Sequence, residues 1–281
     1  MSSKDFLENV KKLRELTGVG FKDCKLAIDE TGGDLEKSVE FLRKKGIAKA
    51  SNKMSRTAAE GICLIKEKDG QISLIEINSE TDFVAKNAEF ISFCKEISEI
   101  SYQQKSDLTK INQSKMKNGS TVENGLIDLI AKIGEKISIR RAIFFDNKIG
   151  FNSFYIHSSI EKNIGKIISI VKISEDTKND IGKKIAMHVS ASSPISLDKE
   201  TLSKKIVEKE MEIVKAELIN SGKKTDIIEK IAQGKINKFI SDNTLINQVW
   251  IMDSKKKVSD ILKENDIKIL DFIRYKVGEG V

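Results

Sequence analysis

Residues 61–87 read GICLIKEKDGQISLIEINSETDFVAKN. Up to Asn78 apolar and polar side chains alternate on either side of Asp69-Gly70, a dipeptide suited to the left-handed backbone of a two-residue hairpin turn. From Ala88 the period becomes helical, with Phe90, Ile91, Cys94, Ile97 and Ile100 on one face. A strand hairpin followed by a helix with an apolar stripe is one packed α+β layer. The junction between them, SETDFVAKN (79–87), sets the acidic Asp82 beside the large ring of Phe83. Two readings fit. Ser79-x-x-Asp82 has the form of a capping box, with Phe83 buried in the first helical turn. Alternatively, the pair is presented to something outside the chain.

The same pattern returns downstream. After a polar stretch (101–120), a helix over 121–133 and a strand KISIRRAIFF (136–145), the run FNSFYIHSSIEKNIGKIISIVKIS predicts a second hairpin. A helix from Lys178 to Val189 follows it. Hairpin-then-helix therefore occurs twice, in pattern and not in letters, which predicts two related α+β subdomains with antiparallel sheets sharing a core.

Upstream, residues 5–48 read as three short helices. The first carries Phe6, Val10, Leu13 and Leu16 on one face and stops at Thr17-Gly18-Val19-Gly20, with Gly18 as its C-cap. The second, Phe21 to Glu30, turns Phe21, Cys24, Ala27 and Ile28 inward. The third starts after the N-cap Asp34, has Leu35, Val39 and Leu42 inward, and ends at Lys44-Lys45-Gly46. The polar tract KASNKMSRTAAEG (49–61) predicts a linker.

Residues 198–242 predict an antiparallel helical hairpin. Leu202, Ile206, Val207, Met211, Ile213, Val214 and Leu218 keep a three-to-four spacing, SGKK (221–224) interrupts it, and Ile228, Ile231, Ile236 and Phe239 resume it. The simplest reading is a hairpin packed on itself; the sharper one is a subunit or partner contact. QVWIMD (248–253) and DIKILDFIRYKVGEGV (266–281) then read as strands around a short helix at 257–264. The expected organisation is a three-helix domain at 1–50, a linker at 51–60, one core subdomain at 61–145, a second at 146–197 and 245–281, and the hairpin inserted at 198–244.

The 281 residues carry 49 basic and 42 acidic side chains, for a formal net charge of +7. That excess permits attraction to nucleic acid or to an acidic protein. The two signs are interleaved and aromatics make up 6%, so the base-stacking pattern of a nucleic-acid binder is weakly supported and a Lys-rich solvated surface is the simpler reading. No apolar run approaches the length of a membrane span, and MSSKDFLENVKK lacks a secretory core, so a cytoplasmic chain is expected. Cys24, Cys63 and Cys94 form no CxxC pair, and two histidines are few for a metal centre, so neither a disulfide framework nor a bound metal or cofactor is expected. Phosphate-cradling GxxxxGK[ST], GxGxxG, HExxH and GxSxG are all missing. His157 falls on an alternating strand, where a hydrogen-bonded structural role is the simpler reading. His188 ends a helix-like run, where it could neutralise a helix C-terminus. These absences favour a binding or regulatory protein without bond-making chemistry.

Five stretches, in this order and spacing, resemble one family. LRELTGVGFKDCKLAI (13–28), SETDFVAKN (79–87), KIGEKISIRR (132–141), IAMHVSASSP (185–194) and DFIRYKVGEG (271–280) are similar to the bacterial translation elongation factor Ts. The resemblance covers essentially the whole chain. It implies an N-terminal domain like the ubiquitin-associated three-helix fold, and a guanine nucleotide exchange factor acting on GDP-bound elongation factor Tu (EF-Tu). It further implies that Thr81, Asp82, Phe83 and Val84 intrude near the partner's magnesium site and help dislodge Mg2+. Thr17, Gly18, Val19, Gly20, Asp23 and Lys25 would contact the GTPase domain, and His188, Ile251 and Met252 another domain of Tu. Residues 198–242 match the family's coiled-coil or dimerisation element, which implies a homodimer contact as one alternative. The sequence departs from the family where Val249 and Ser254 stand at positions often held by prolines, so a less rigid strand is expected there. Some members continue past the position of Val281 with a helical module that also contacts Tu, and that contact is not expected here. The competing reading is a basic RNA-binding protein of the translation apparatus.

Overall fold

Val10, Leu13, Cys24, Ala27, Ile28 and Leu42 are buried together where α1 (Ser3–Thr17), α2 (Phe21–Glu30) and α3 (Leu35–Ser51) meet. The structure is a computed structural model that describes residues 3–17, 19–51, 53, 55–176, 180–221 and 225–281; the expected cap at Gly18 and most of the SGKK break lie outside them. Three apolar residues placed inward by their spacing lie outside this core: Leu16, 71% exposed, Phe21 and Val39. Helical period marks a stripe but not its width, and the small core closes with Cys24 and Ala27 instead. Helix α3 does not stop at Gly46. A side chain there would meet the Cβ of Ala131 at 3.2 Å, so the glycine permits close approach to the core and does not end the helix. The expected linker is correspondingly tied down. Ser51 is helical, Ala58 is buried, and Arg56 pairs with Glu80.

Asp69 (φ 53°) and Gly70 (φ 75°) form the hairpin turn with left-handed backbone. They join β1 (Glu60–Lys68) to β2 (Gln71–Ser79) in unbroken antiparallel register. The four-residue α4 (Asp82–Ala85), then α5 (Ala88–Gln103), α6 (Leu108–Gln113) and α7 (Val122–Ile133) follow. Helix α6 sits in the polar stretch 101–120, to which the sequence pattern assigns no element. β3 (Ile137–Phe145) pairs with β2, completing one antiparallel set of three strands. The second hairpin, β4 (Phe151–Glu161) and β5 (Ile164–Ile173), acquires β6 (Ile269–Lys276) on the far side of β5. The two sets join at one corner, where Cys63 and Leu64 of β1 pair with Gly165 and Ile164 of β5. Together they count as one six-stranded sheet.

Strand alternation sorts the faces. Ile62, Leu64, Ile75 and Ile77 pack under α5 and α7. Their neighbours Cys63, Ile65, Ile72 and Leu74 meet Ile168, Ile170 and Tyr275 of the other set. The outer face of that set gives Val171 and Ile173 to α8 (Ile181–Ser192), Trp250 and the later α11 (Val258–Glu264). The result is helices, strands, strands and helices in four layers, an α+β fold with the hairpin-then-helix unit used twice. Lys178, the expected start of α8, lies outside the described residues.

Between α8 and α11, α9 (Lys204–Asn220) and α10 (Thr225–Asn243) form the helical hairpin. Its seam is Val207, Met211, Val214 and Leu218 against Ile228, Ala232 and Ile236. That row leaves Ile206 and Ile213 exposed, contrary to their expected inward placement. QVWIMD is not a strand. A 3-10 turn at Leu245–Asn247 is followed by a turn in which Trp250 is buried while Val249, Ile251 and Met252 are exposed.

One buried charge ties the layers together. The carboxylate of Glu76 on β2 accepts from Arg140 Nη1 (3.0 Å), Arg141 Nε (2.5 Å), Asn78 Nδ2 (3.0 Å) and the backbone N–H of Gly278 (2.9 Å). Burial pushes this acid up, but these donors prevail and hold it below its ordinary range. The strand pair β2–β3 is thereby pinned to the segment after β6.

Candidate functional site

Strand β2 ends at Ser79, and two residues later the chain turns into α4. Thr81 is the N-cap: its backbone is extended (φ −123°, ψ 158°) and its hydroxyl accepts from the N–H of Val84 at 3.4 Å. The expected box starting at Ser79 does not form, because Ser79 is fully buried and its hydroxyl donates to the Thr81 carbonyl at 2.9 Å. Val84 and Ala85 turn into the core. Asn87 then caps α5, its side chain accepting from Glu89 N–H (2.9 Å) and Phe90 N–H (3.2 Å). With Val84 and Ala85 turned inward between the two caps, Asp82 and Phe83 are left the other direction in which to point.

That direction is outward. Phe83 is 80% exposed, so the reading of a buried first-turn ring fails. Asp82 is also on the surface, 2.7 Å from Lys86 one turn along, and this ammonium holds its carboxyl below the ordinary range. The junction is braced from across the β2–β3 pair, by the residues just before β3. Thr81 donates both its N–H (3.1 Å) and its hydroxyl (2.9 and 3.1 Å) to the carboxylate of Glu135. Glu135 follows Gly134, the α7 cap residue whose φ of 87° suits glycine. In return, Glu80 accepts from the backbone N–H of Lys136 (2.5 Å) and from Arg56 (3.2 Å), which hold its carboxyl low. Sequence reasoning missed both glutamates' roles, because their partners stand 54 and 56 residues away; KIGEKISIRR drew notice only as a motif.

A second apolar turn lies on the other half of the core. His188 is fully buried in α8 and stacks on Trp250 with ring centroids 5.2 Å apart. Its Nδ1 accepts from the N–H of Ile251 (3.3 Å), so the proton sits on Nε2, which donates to Gln248 Oε1 (2.9 Å). The Gln248 amide donates in turn to the carbonyls of Ser192 (3.2 Å) and Asp242 (2.7 Å). Burial pushes the imidazole below its ordinary value of 6.5, against the Gln248 bond that raises it. A neutral ring cannot neutralise a helix end, so the expected capping role is overturned. His188 has no surface to offer a partner either; the turn it holds presents Ile251 and Met252.

In the N-terminal helices, the Thr17 hydroxyl donates to the Leu13 carbonyl (2.7 Å), and the buried Cys24 thiol donates to that of Val19 (3.3 Å). Gly20 is the extended N-cap of α2 with open space around its Cα. Asp23 pairs with Lys45 at 3.0 Å, and Lys25 is exposed. Gly18 lies outside the described residues. Among those described, no group of three or more His, Cys, Asp and Glu could hold a metal ion, and no helix is long and apolar enough to cross a membrane.

A family model described as Elongation factor TS matches residues 80–279. The chain belongs to the elongation factor Ts family. Elongation factor Ts of Rickettsia prowazekii (strain Madrid E) is 40% identical over 97% of this chain and 91% of its own length. Elongation factor Ts of Gluconobacter oxydans (strain 621H) is 35% identical over the same shares. The Mycoplasmoides gallisepticum protein of that name is 37% identical over 98% of this chain and 93% of its own. In this elongation factor Ts relative the matched span opens at Glu80, directly before the Thr81 cap, and takes in both apolar turns. Residues 17–25 fall outside the span but within the length that the three relatives share.

Proposed function

We propose that the chain is a guanine nucleotide exchange factor for elongation factor Tu, binding its GDP-bound form and promoting GDP release so that GTP can enter. The observation that carries this reading is the 80% exposed ring of Phe83 on a doubly capped turn. A lone exposed apolar residue is ordinary on a surface; one held rigidly at an element junction is pre-organised to bind.

The chemistry requires no bond to be made or broken by this chain. In a GTPase, Mg2+ bridges the nucleotide phosphates to the protein and offsets their charge. A phenyl ring entering between packed partner helices favours a second discrete packing, because close-packed interiors switch and do not deform smoothly. Thr81 and Val84 fix the turn, Asp82 and Phe83 lead it, and the partner's magnesium contact is the element displaced. Factor and GDP then lower each other's affinity for Tu by the same factor. Residues Thr17, Gly18, Val19, Gly20, Asp23 and Lys25 supply a separate contact from the three-helix domain. Ile251 and Met252 supply a third, with His188 acting through the turn. The partition at 1–50, 51–60, 61–145, 146–197 with 245–281, and 198–244 makes the helical hairpin an inserted unit, which could also carry a homodimer contact. The reading puts the protein in the cytoplasm, where Tu works.

Fluorescent GDP preloaded on purified Tu is the direct test. Sub-stoichiometric chain should accelerate its release catalytically in the presence of excess GDP. Release at the unassisted rate would reject the reading.

A further inference from the structure

Phe83 is 80% exposed, so its direction must come from the residues that hold its turn. Thr81, the cap of α4, sends both its backbone N–H and its hydroxyl to one carboxylate, that of Glu135 (3.1, 2.9 and 3.1 Å). The neighbouring pair is reciprocal: Glu80 takes the N–H of Lys136 at 2.5 Å. Two side chains thus continue the β2–β3 ladder past its last backbone pair, Ser79 with Ile137.

We propose that Glu135 is a positioning residue for exchange, fixing through Thr81 the direction in which Phe83 is presented. The inference rests on the exchange reading given above. Three physical points support it. A carboxylate that accepts two donors from one residue restricts both its backbone and its side-chain torsion, and charge-assisted bonds are the stronger kind. Glu135 is itself set by the α7 terminus at Gly134 and by the start of β3, so it is a rigid anchor on two regular elements. Helix α3 of the N-terminal unit lies against that same α7 through Gly46 and Ala131, so the anchor stands between the first three helices and the Phe83 turn. Glu135 reaches no partner in this scheme; it acts through Thr81.

The test uses the full chain with Tu and fluorescent GDP, comparing Glu135→Ala, Glu135→Gln and Phe83→Ala. Release rates are measured over a range of factor concentrations, which separates the maximal rate from the half-saturating concentration. With Glu135→Ala, the maximal rate should fall about tenfold, as losing charge-assisted bonds that orient the reacting group implies. Half-saturation should move by less than about threefold, because the other contacts of the complex remain. Glu135→Gln keeps an acceptor for the Thr81 N–H and should recover most of the rate. Amide hydrogen exchange at Val84 and Ala85 should quicken in Glu135→Ala, while the melting temperature of the whole chain changes little. A normal maximal rate for Glu135→Ala beside a slowed Phe83→Ala would overturn the inference and leave the exchange reading standing. Normal rates for both would reject the exchange reading itself. A Glu135→Ala defect seen only as weaker binding, or one that Glu135→Gln does not relieve, would assign Glu135 a structural role and also overturn the inference.

Discussion

The Phe83 turn and the Ile251–Met252 turn solve one problem by opposite means. Each must show apolar side chains to solvent without letting them collapse inward. The first is held by carboxylates at the surface: Glu135 on Thr81, Glu80 on Lys136, and Asp82 on Lys86. The second is held from beneath by a buried neutral imidazole whose two nitrogens are both committed, to Ile251 N–H and to Gln248. Charges near water hold the first turn from outside the core, beside the buried Val84 and Ala85 that seat α4 in it. A buried ring holds the second as part of the core, so that turn fails only when the core is damaged.

His188→Ala is where the contrast should be largest. It removes a stacked, fully buried ring and orphans the Ile251 N–H and the Gln248 carbonyl. The loss should be about 3 kcal/mol in denaturant unfolding, and a value near zero would show that the turn does not depend on the ring.

Acid comes next. Because the folded imidazole sits below its ordinary value of 6.5, the unfolded chain binds the extra proton. Stability from this group is fully present above about pH 6.5 and falls as the pH drops through the folded value, by at most about 1.4 kcal/mol per pH unit. His188→Gln should lack that slope in urea titrations between pH 7 and pH 5. Asp82 acts in the same direction at lower pH: its lowered carboxyl contributes above its ordinary value of 3.8 and loses that only in stronger acid. The two turns should therefore loosen in different pH windows.

Smaller still is Lys86→Ala, which removes an exposed one-turn ion pair. Such pairs contribute little in water, and its melting curve should overlay that of the parent chain. A clear drop would mean that the ion pair, and not the Glu135 brace, fixes α4.

The same contrast explains what could be read from the sequence. Caps and turns that depend on neighbours within a few residues were legible: Asp69-Gly70 and Asp34 act as their letters suggest. The two strands of the first hairpin were legible too, but not which of Ile62 to Ile65 face the helices, because all four are apolar and both faces of β1 are buried. The resemblance singled out the Phe83 segment as a candidate site, but no sequence pattern showed what supports it. Ser79 looked like the cap because it begins the motif, and Glu135 could not be linked to Thr81 without the sheet. QVWIMD looked like a strand because four apolar residues stand in a row. It turns because Gln248 is drawn inward by carbonyls at Ser192 and Asp242, contacts that no local pattern records. Leu16 and Val39 show the same limit, since period alone cannot say where a core ends.

Phe83→Ala should have the smallest effect on stability and the largest on activity. Truncating a ring with 80% of its surface in water should change unfolding free energy by less than about 0.5 kcal/mol. The measurement that bears most directly on the account is fluorescent-GDP release from Tu with this variant at saturating concentration, beside its melting curve. A sharply slowed maximal rate with an unchanged melt is the expected result. Full-rate release by a normally folded Phe83→Ala chain would contradict the claim that the ring drives exchange.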